Sequence, residues 1–408
     1  MDKMRRRLPA ELLDFLQVAG RQAEAQGQRL YLVGGAVRDL LLGRPDTDFD
    51  LVLEGDAISF AGKLARNCGE HVTLHRKFGT AKFRRGDLII DVVTARSETY
   101  ASPGALPAVK PGTIRDDLFR RDFSINAMAI ELTPACFGRL LDCFDGARDL
   151  ERGSVRILHE RSFIDDATRM LRAVRYEQRL GFELEADTER LLKRDLPYLD
   201  TISGDRVRHE LELIAGEDNA ERMLRRAQAL GILRQIHPAV KFDEAAAGRF
   251  RIAGSSGSSD TALFFLLLLY PLDGADISGV TGRLGITGSL KRAAAQLPEL
   301  KSSLAVLNAV DIKPSAVYRL LQRFDDRAVA ACAAAAGDST VRSHLQRYLS
   351  ELRHVTPCLN GDSLQAMGVQ PGRRLGDILR RLREERVDGT VTTRDDEIAL
   401  VRKILNGC

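Results

Sequence analysis

The sequence predicts an α+β chain, with a mixed-sheet N-terminal domain covered by helices and a long all-helical part behind it. Three observations carry that reading. Strand-like apolar runs stand at residues 30–33, 49–53, 72–75, 80–84 and 88–94, with helical patterns between the earlier ones. Two adjacent glycines, Gly34 and Gly35, sit where the first run gives way to a helix. From about residue 141 onward the pattern is almost wholly helical. The 408 residues, 44% hydrophobic and 29% charged, suffice for several soluble globular domains.

Taken in order, residues 8–28 carry Leu12, Leu13, Phe15, Leu16 and Ala19 at helical spacing, giving an amphipathic helix. The basic N-terminus leads into this helix and not into the apolar core of a signal peptide. Residues 30–33 read as a buried strand, and residues 36–42 as a short helix stopped at Gly43, with Pro45 beyond. A strand follows with Asp48 and Asp50 at its start, and then a helix over 56–67.

Chemistry gathers in this opening stretch. A glycine pair before a helix lets a phosphate approach the backbone, and the free N–H groups of the first turn favour an anion. Carboxylates two residues apart on a strand point to the same side. Asp48 and Asp50 are therefore candidate ligands of a hard cation such as Mg²⁺. A phosphate cradle beside such a pair points to a nucleoside triphosphate bound through magnesium. Asp91 lies inside the apolar run 88–93, where an acid needs a partner. It reads either as a third catalytic carboxylate or as a hydrogen-bonded strand acid.

Residues 97–112 hold five prolines or glycines in their second part, SPGALPAVKPG, and read as a surface loop over a cleft. Residues 116–132, DDLFRRDFSINAMAIEL, set Arg120, Arg121 and Asp122 between apolar positions. Arginine suits triphosphate oxygens through its planar fork. Asp122 and Asn126 are candidates to hold a ribose hydroxyl. Residues 165–181 read as one helix, with Met170, Leu171 and Val174 as its buried stripe. On it Asp166 and Arg169 are three apart and expected to work as a unit, with Arg172 next and Arg175 more peripheral.

Further on, residues 204–214 and 219–230 read as amphipathic helices, 254–260 (GSSGSSD) as a linker, and 328–336 as an alanine-rich helix. The apolar run 262–270 is too short to span a bilayer. Near the end, Leu375, Ile378, Leu379 and Leu382 form a helical stripe, with Arg374, Arg380 and Arg381 on the remaining surface. These arginines are either an RNA-backbone contact or a solvated basic face. Net charge is only +4, which permits a nucleic-acid partner without demanding one. The six cysteines show no zinc-ligand spacing and fit reduced thiols in a cytoplasmic protein.

Taken together, LVGGAVRDLLLG, DTDFDLV, RRDFSINAMAI, FDGARDL and DDATRMLRAVRYEQRLGF resemble the class II tRNA nucleotidyltransferase family. That family includes CCA-adding enzymes, their CC-adding and A-adding relatives, and bacterial poly(A) polymerases. The resemblance spans roughly residues 30–185. It implies a polymerase-β-type nucleotidyltransferase head over 1–140, a helical neck over 141–215, a body over 216–350 and an RNA-binding tail over 351–408. It implies that Asp48 and Asp50 hold the metal, that Gly35 and Arg38 bind the triphosphate, and that Arg121 contacts the nucleotide. Asp166 and Arg169 match the pair that reads the incoming base, and Arg172 and Arg175 match further nucleotide-site arginines.

Two departures stand out. Asp165 occupies a position that is usually Glu, and the 97–112 stretch lacks the Asp/Arg pair carried there by many members that add all of CCA. The implied activity is template-independent addition of C, A or both from CTP and ATP to the 3′ end of tRNA. A poly(A) polymerase and a non-catalytic tRNA-binding protein on the same scaffold are the alternatives.

Overall fold

A computed structural model describes residues 2–45, 48–68, 72–75, 80–85, 88–254 and 260–406. By its contacts the chain forms two compact units, one of Met1–Glu210 with Ala229–Gln235 and one of Leu211–Gln228 with Ile236–Cys408.

The first unit opens with two helices, α1 (Asp2–Arg7) and α2 (Ala10–Glu24). Strand β1 (Arg29–Val33), helix α3 (Gly35–Leu42) and strand β2 (Asp48–Glu54) follow. Helix α4 (Ala57–Cys68) then leads to β3 (Val72–His75), β4 (Thr80–Arg85) and β5 (Leu88–Thr94). Two further strands, β6 (Arg96–Thr99) and β7 (Ala108–Pro111), form a separate antiparallel pair. The surface loop expected over 97–112 is thus a hairpin. Its prolines and glycines crowd into the connection and the last turn, where they cost no ladder bonds.

After α5 (Ile114–Phe119) the chain returns to the main sheet as β8 (Met128–Glu131) and β9 (Leu140–Asp142). Among the described residues this sheet has seven strands in the order β3-β4-β5-β2-β1-β8-β9. Strand β2 runs antiparallel to β1 and parallel to β5. Its Asp50 lies opposite Val33 on one side and Asp91 on the other, while Asp91 lies opposite Lys82. A row of charge therefore crosses three strands on one face.

That same face carries a core of Tyr31, Val33, Val52, Ala129 and Ala95 packed with Ile114 and Leu118 of α5. The apolar packing stops at Val52, one side-chain step before Asp50. Because side chains alternate, Leu30, Leu32, Leu51 and Leu53 bury on the opposite face. Arg7 donates from Nη1 to the carbonyls of Leu40 and Leu41, at 2.6 and 2.9 Å, at the C-terminal end of α3.

The rest of the unit is α6 (Gly146–Arg152), β10 (Ser154–Val155), α7 (Ser162–Asp165), α8 (Arg169–Leu180), β11 (Glu183–Leu184), α9 (Ala186–Asp195) and most of α10 (Gly204–Ala215). The single helix expected over 165–181 is two. Asp166 between them is extended, at φ −144° and ψ 98°. Its carboxylate accepts from the Thr168 amide at 3.0 Å and hydroxyl at 2.6 Å, a local bond that competes with helix propagation.

Every regular element described in the second unit is helical. Helix Thr261–Leu269 is buried on almost every side, as its uninterrupted apolar sequence requires. Helix Asp326–Ala335 buries Ala328, Ala331, Cys332 and Ala334, small side chains that let neighbouring helices approach closely. The linker expected at 254–260 falls mostly outside the described residues. The stripe expected near the end lies on Arg373–Val387, where Ile378 and Leu382 are buried with Val401, and Leu375 and Leu379 pack against them.

Candidate active site

Strand β2 delivers the two acids. Asp48 is exposed at the strand start and Asp50 is largely covered. Burial pushes the Asp50 carboxyl up to about 6. Arg121 opposes that shift, while Asp48, Asp91 and Asp117 reinforce it. The charged form of Asp50 is thus disfavoured here, which is the condition a cation would relieve. Asp91 is not equivalent to the other two, because its Oδ2 pairs with Lys82 Nζ at 3.0 Å. Among the described residues no three His, Cys, Asp or Glu side chains converge on a metal-sized point. Two carboxylates still fit Mg²⁺, which commonly takes one or two carboxylates and completes its shell with phosphate oxygens and water.

The turn between β1 and α3 approaches this edge. Gly34 has φ +70°, and a Cβ there would stand 2.6 Å from Nη1 of Arg121 and 3.7 Å from Oδ2 of Asp50. Only glycine lets the guanidinium lie against the turn. Arg121 is aimed by Asp117, which is fully buried at the end of α5. Asp117 Oδ2 accepts from Arg121 at 3.0 Å, and its Oδ1 accepts from Arg120 at 2.6 and 3.0 Å. The buried Nε of Arg121 has no hydrogen-bond partner.

Opposite stands a wall in which charge is matched. Asp122 accepts from Arg172 at 2.9 and 2.5 Å, from the Asn126 amide at 3.0 Å and from the Phe123 N–H at 2.8 Å. Burial alone would raise the Asp122 carboxyl, but Arg172, Asn126 and Arg169 hold it down at about 2. Asn126 Oδ1 in turn accepts from Arg38 at 2.7 Å, and Arg38 also pairs with Asp39 at 2.7 Å. Asp122 and Asn126, expected to hold a ribose hydroxyl, both line the cavity and are hydrogen-bonded to each other and to Arg172 and Arg38.

Arg38 is 3% exposed and braces the wall from behind, its Nη2 lying 3.6 Å from where a Cβ on Gly35 would stand. The guanidiniums of Arg38, Arg172 and Arg175 all lie over the ring of Tyr176, at 5.1, 5.6 and 5.5 Å from its centroid. Glu210 stands 3.6 Å from both Arg172 and Arg175. Segment 142–150 holds the 3₁₀ turn that carries Asn126. There Asp149 accepts from the Ser124 hydroxyl and pairs with Arg156 at 2.8 Å.

Asp166 and Arg169 do not pair with each other. Arg169 donates to the Ser162 hydroxyl and to the Arg120 carbonyl, both at 2.7 Å. Asp166 Oδ1 forms an ion pair with Arg206 at 2.8 Å. Both line one cavity because of the break between α7 and α8 and not because of a shared helical face.

One cavity of about 690 Å³ joins these parts. Gly35, Asp50 and Arg121 line one end, and Asp122, Asn126, Asp166, Arg169 and Arg172 line the other. Arg38, Asp91 and Arg175 are not on its surface. The sequence reading missed Tyr176, Glu98, Tyr100, Arg206 and Glu210, all of which line it. Tyr176 carried a signal, since it follows Arg175 directly and lies four residues after Arg172. In the second unit Arg374, Arg380 and Arg381 are exposed. Arg380 pairs with Asp377 at 2.6 Å and Arg381 with Glu385 at 3.9 Å.

This arrangement matches known proteins. Residues 30–156 match the Poly A polymerase head domain, and residues 181–243 match the family described as the probable RNA and SrmB-binding site of polymerase A. The chain is 31% identical to an A-adding tRNA nucleotidyltransferase of Halalkalibacterium halodurans, over 100% of this chain and 96% of that protein. The chain belongs to the tRNA nucleotidyltransferase family. It is also 34% identical to an A-adding member from Geobacter sulfurreducens, over 98% of this chain but 48% of that protein, so it spans about half of that relative's length. A CC-adding member from Deinococcus radiodurans is 33% identical, over 97% of this chain and 93% of that protein. Among solved structures of the family, an apo CCA-adding enzyme superposes with a TM-score of 0.88 at 30% identity, covering 100% of this chain and 98% of that one. A Thermotoga maritima CCA-adding enzyme complexed with tRNA superposes at 0.81 and 29% identity, covering 99% and 98%.

Proposed function

We propose that the chain adds C, A or both to the 3′ end of tRNA from CTP or ATP, releasing pyrophosphate and using no nucleic-acid template. The observation that carries this is one cavity with the raised carboxyl of Asp50 beside Arg121 at one end and the Asp166/Arg169 pair at the other. Its partners are tRNA and the two triphosphates, and its setting is the cytoplasm. The chain divides into head (1–140), neck (141–215), body (216–350) and tail (351–408), with Arg374, Arg380 and Arg381 of the tail offered to the RNA backbone.

Asp48 and Asp50 would hold Mg²⁺, which when bound supplies charge neutralisation at the α-phosphate and the departing pyrophosphate. The turn at Gly34 and Gly35, the N-terminus of α3 and Arg121 hold the triphosphate. Asp117 keeps Arg121 turned toward it. Asp91, tied to Lys82, sets the charge around Asp50 and does not touch the nucleotide.

Base choice follows from polarity. Cytosine and adenine each offer an exocyclic amine donor beside a ring-nitrogen acceptor. Asp166 accepts from the amine and Arg169 donates to the ring nitrogen. Uracil and guanine present the opposite pattern and would leave charged groups unpaired, which is where large discrimination arises. Arg172 is locked by Asp122 and forms the fixed wall of the base end.

Relatives that span the chain at nearly full length include both A-adding and CC-adding members, and one pocket polarity serves both bases. The deciding test uses tRNA transcripts ending at each successive stage of CCA, incubated with each labelled triphosphate and Mg²⁺, with product lengths read on a gel. Addition of one to three nucleotides is expected, and the stage at which it starts identifies the product. Long oligo(A) tails would identify a poly(A) polymerase, and no extension on any transcript would overturn the proposal.

A further inference from the structure

The geometry points to Arg206 as the residue that positions Asp166 for base selection. This deepens the proposed nucleotide addition and rests on it. Asp166 is extended between two helices, so no helical ladder holds its side chain in place. Its orientation is set by partners. Oδ1 accepts from the Thr168 amide at 3.0 Å and the Thr168 hydroxyl at 2.6 Å, and Nη2 of Arg206 stands 2.8 Å from the same atom. An ionised carboxylate oxygen has about two lone-pair sites. These contacts saturate Oδ1 and leave Oδ2 as the acceptor for an exocyclic amine entering the cavity.

The two Thr168 contacts are local and move with the break between the helices. Arg206 is the contact from a distant element, α10, and it is anchored on its other side. Its Nη1 donates to the Gly104 carbonyl at the tip of the β6–β7 hairpin, at 3.2 Å. Gly104 has φ +72°, and a Cβ there would come within 2.3 Å of the Thr201 hydroxyl, so the tip lies tightly on the segment before α10. One planar guanidinium thus spans the hairpin tip and the base-reading carboxylate. Lysine, with a single charged nitrogen, cannot hold both. Without the span, Asp166 can rotate about its Thr168 contacts and present either oxygen at a shifted angle. Discrimination between amine-bearing and carbonyl-bearing bases then falls, while the carboxylates at the other end of the cavity are untouched.

The test compares the full chain with Arg206→Met and Arg206→Lys. Equilibrium binding of ATP, CTP, GTP and UTP is measured with Mg²⁺, alongside single-nucleotide addition to truncated tRNA and thermal melting. Arg206→Met is expected to lower the ATP:GTP and CTP:UTP affinity ratios by about tenfold or more, raising KM for ATP and CTP while kcat changes by less than about threefold. Arg206→Lys is expected to keep the melting temperature but not the ratios, and it decides the matter if the methionine variant does not fold. A folded variant of either kind with wild-type ratios overturns the inference, as does a uniform loss toward all four nucleotides that tracks a lower melting temperature. A wild-type chain that binds no triphosphate overturns the proposed function and this role together. A discriminating wild type with equally discriminating variants overturns this role alone.

Discussion

The two ends of the cavity handle charge in opposite ways. At the β2 end Asp50 is covered, has acidic neighbours, and is pushed up to about 6. At the α8 end Asp122 is more deeply buried, yet Arg172 and Asn126 hold it at about 2. Both are aspartates beside an arginine in one pocket. Asp122 is satisfied by the protein and braces the wall from which Asp166 and Arg169 face the cavity. Asp50 stays raised despite Arg121, a condition that a cation would relieve. A carboxylate matched by the fold and one the fold disfavours as a charge therefore share a single cavity.

Replacing Asp50 with Asn breaks this contrast most sharply. Nucleotide addition should fall by about a thousandfold or more, because one of the two carboxylates proposed to hold the cation is lost. The melting temperature should hold or rise, since a neutral amide removes a buried charge that the fold disfavours. A clear drop in melting temperature would show that Asp50 is structural. Asp122→Ala should do the reverse. It strands Arg172 beside a vacated partner and should cost about 2–3 kcal/mol in denaturant unfolding, a figure reduced because the Arg172 side chain is partly solvated.

Acid titration sharpens the same comparison. A carboxylate whose folded value lies below its unfolded value stabilises the fold above the unfolded value and loses that contribution as pH falls through the folded one. For Asp122 the window runs from about 4 down to about 2, and its share is on the order of 2 kcal/mol. Asp122→Asn should flatten the unfolding profile in that window, and an unchanged profile would contradict the assignment. The smallest effect is expected in the second unit. Arg380→Gln together with Arg381→Gln should weaken tRNA binding modestly and reduce the salt slope by about one to two, with nucleotide affinity unchanged.

Much of this was legible in the sequence, and the reasons differ by residue. Asp48 and Asp50 were readable because a strand repeats every two residues. The pairing of Asp117 with Arg120 and Arg121 is helical spacing in plain view. The break at Asp166 was less visible because the apolar stripe of Met170, Leu171 and Val174 carries the helical pattern on from it, although an Asp two residues before a Thr is a known competitor of the helix. The hairpin at 96–111 hid behind its prolines, which suit an edge pair as well as a loop. The bracing contact of Arg38 was hidden because it is made to Asn126, 88 positions away, and no local pattern reports it. Arg206 was invisible for the same reason, since it joins Gly104 to Asp166 across three separate elements.

The contact of Arg7 with the carbonyls of Leu40 and Leu41 reaches further than its place at the edge of the fold suggests. Helix α3 has its positive pole at the cavity and its negative pole at those carbonyls. A cation seated on the far pole works like the grounded end of a short battery, leaving the near pole more attractive to an anion. If α3 holds the proposed triphosphate, the opening residues of the chain act on it only through the helix they cap, and trimming or tagging them is a remote way of detuning the site.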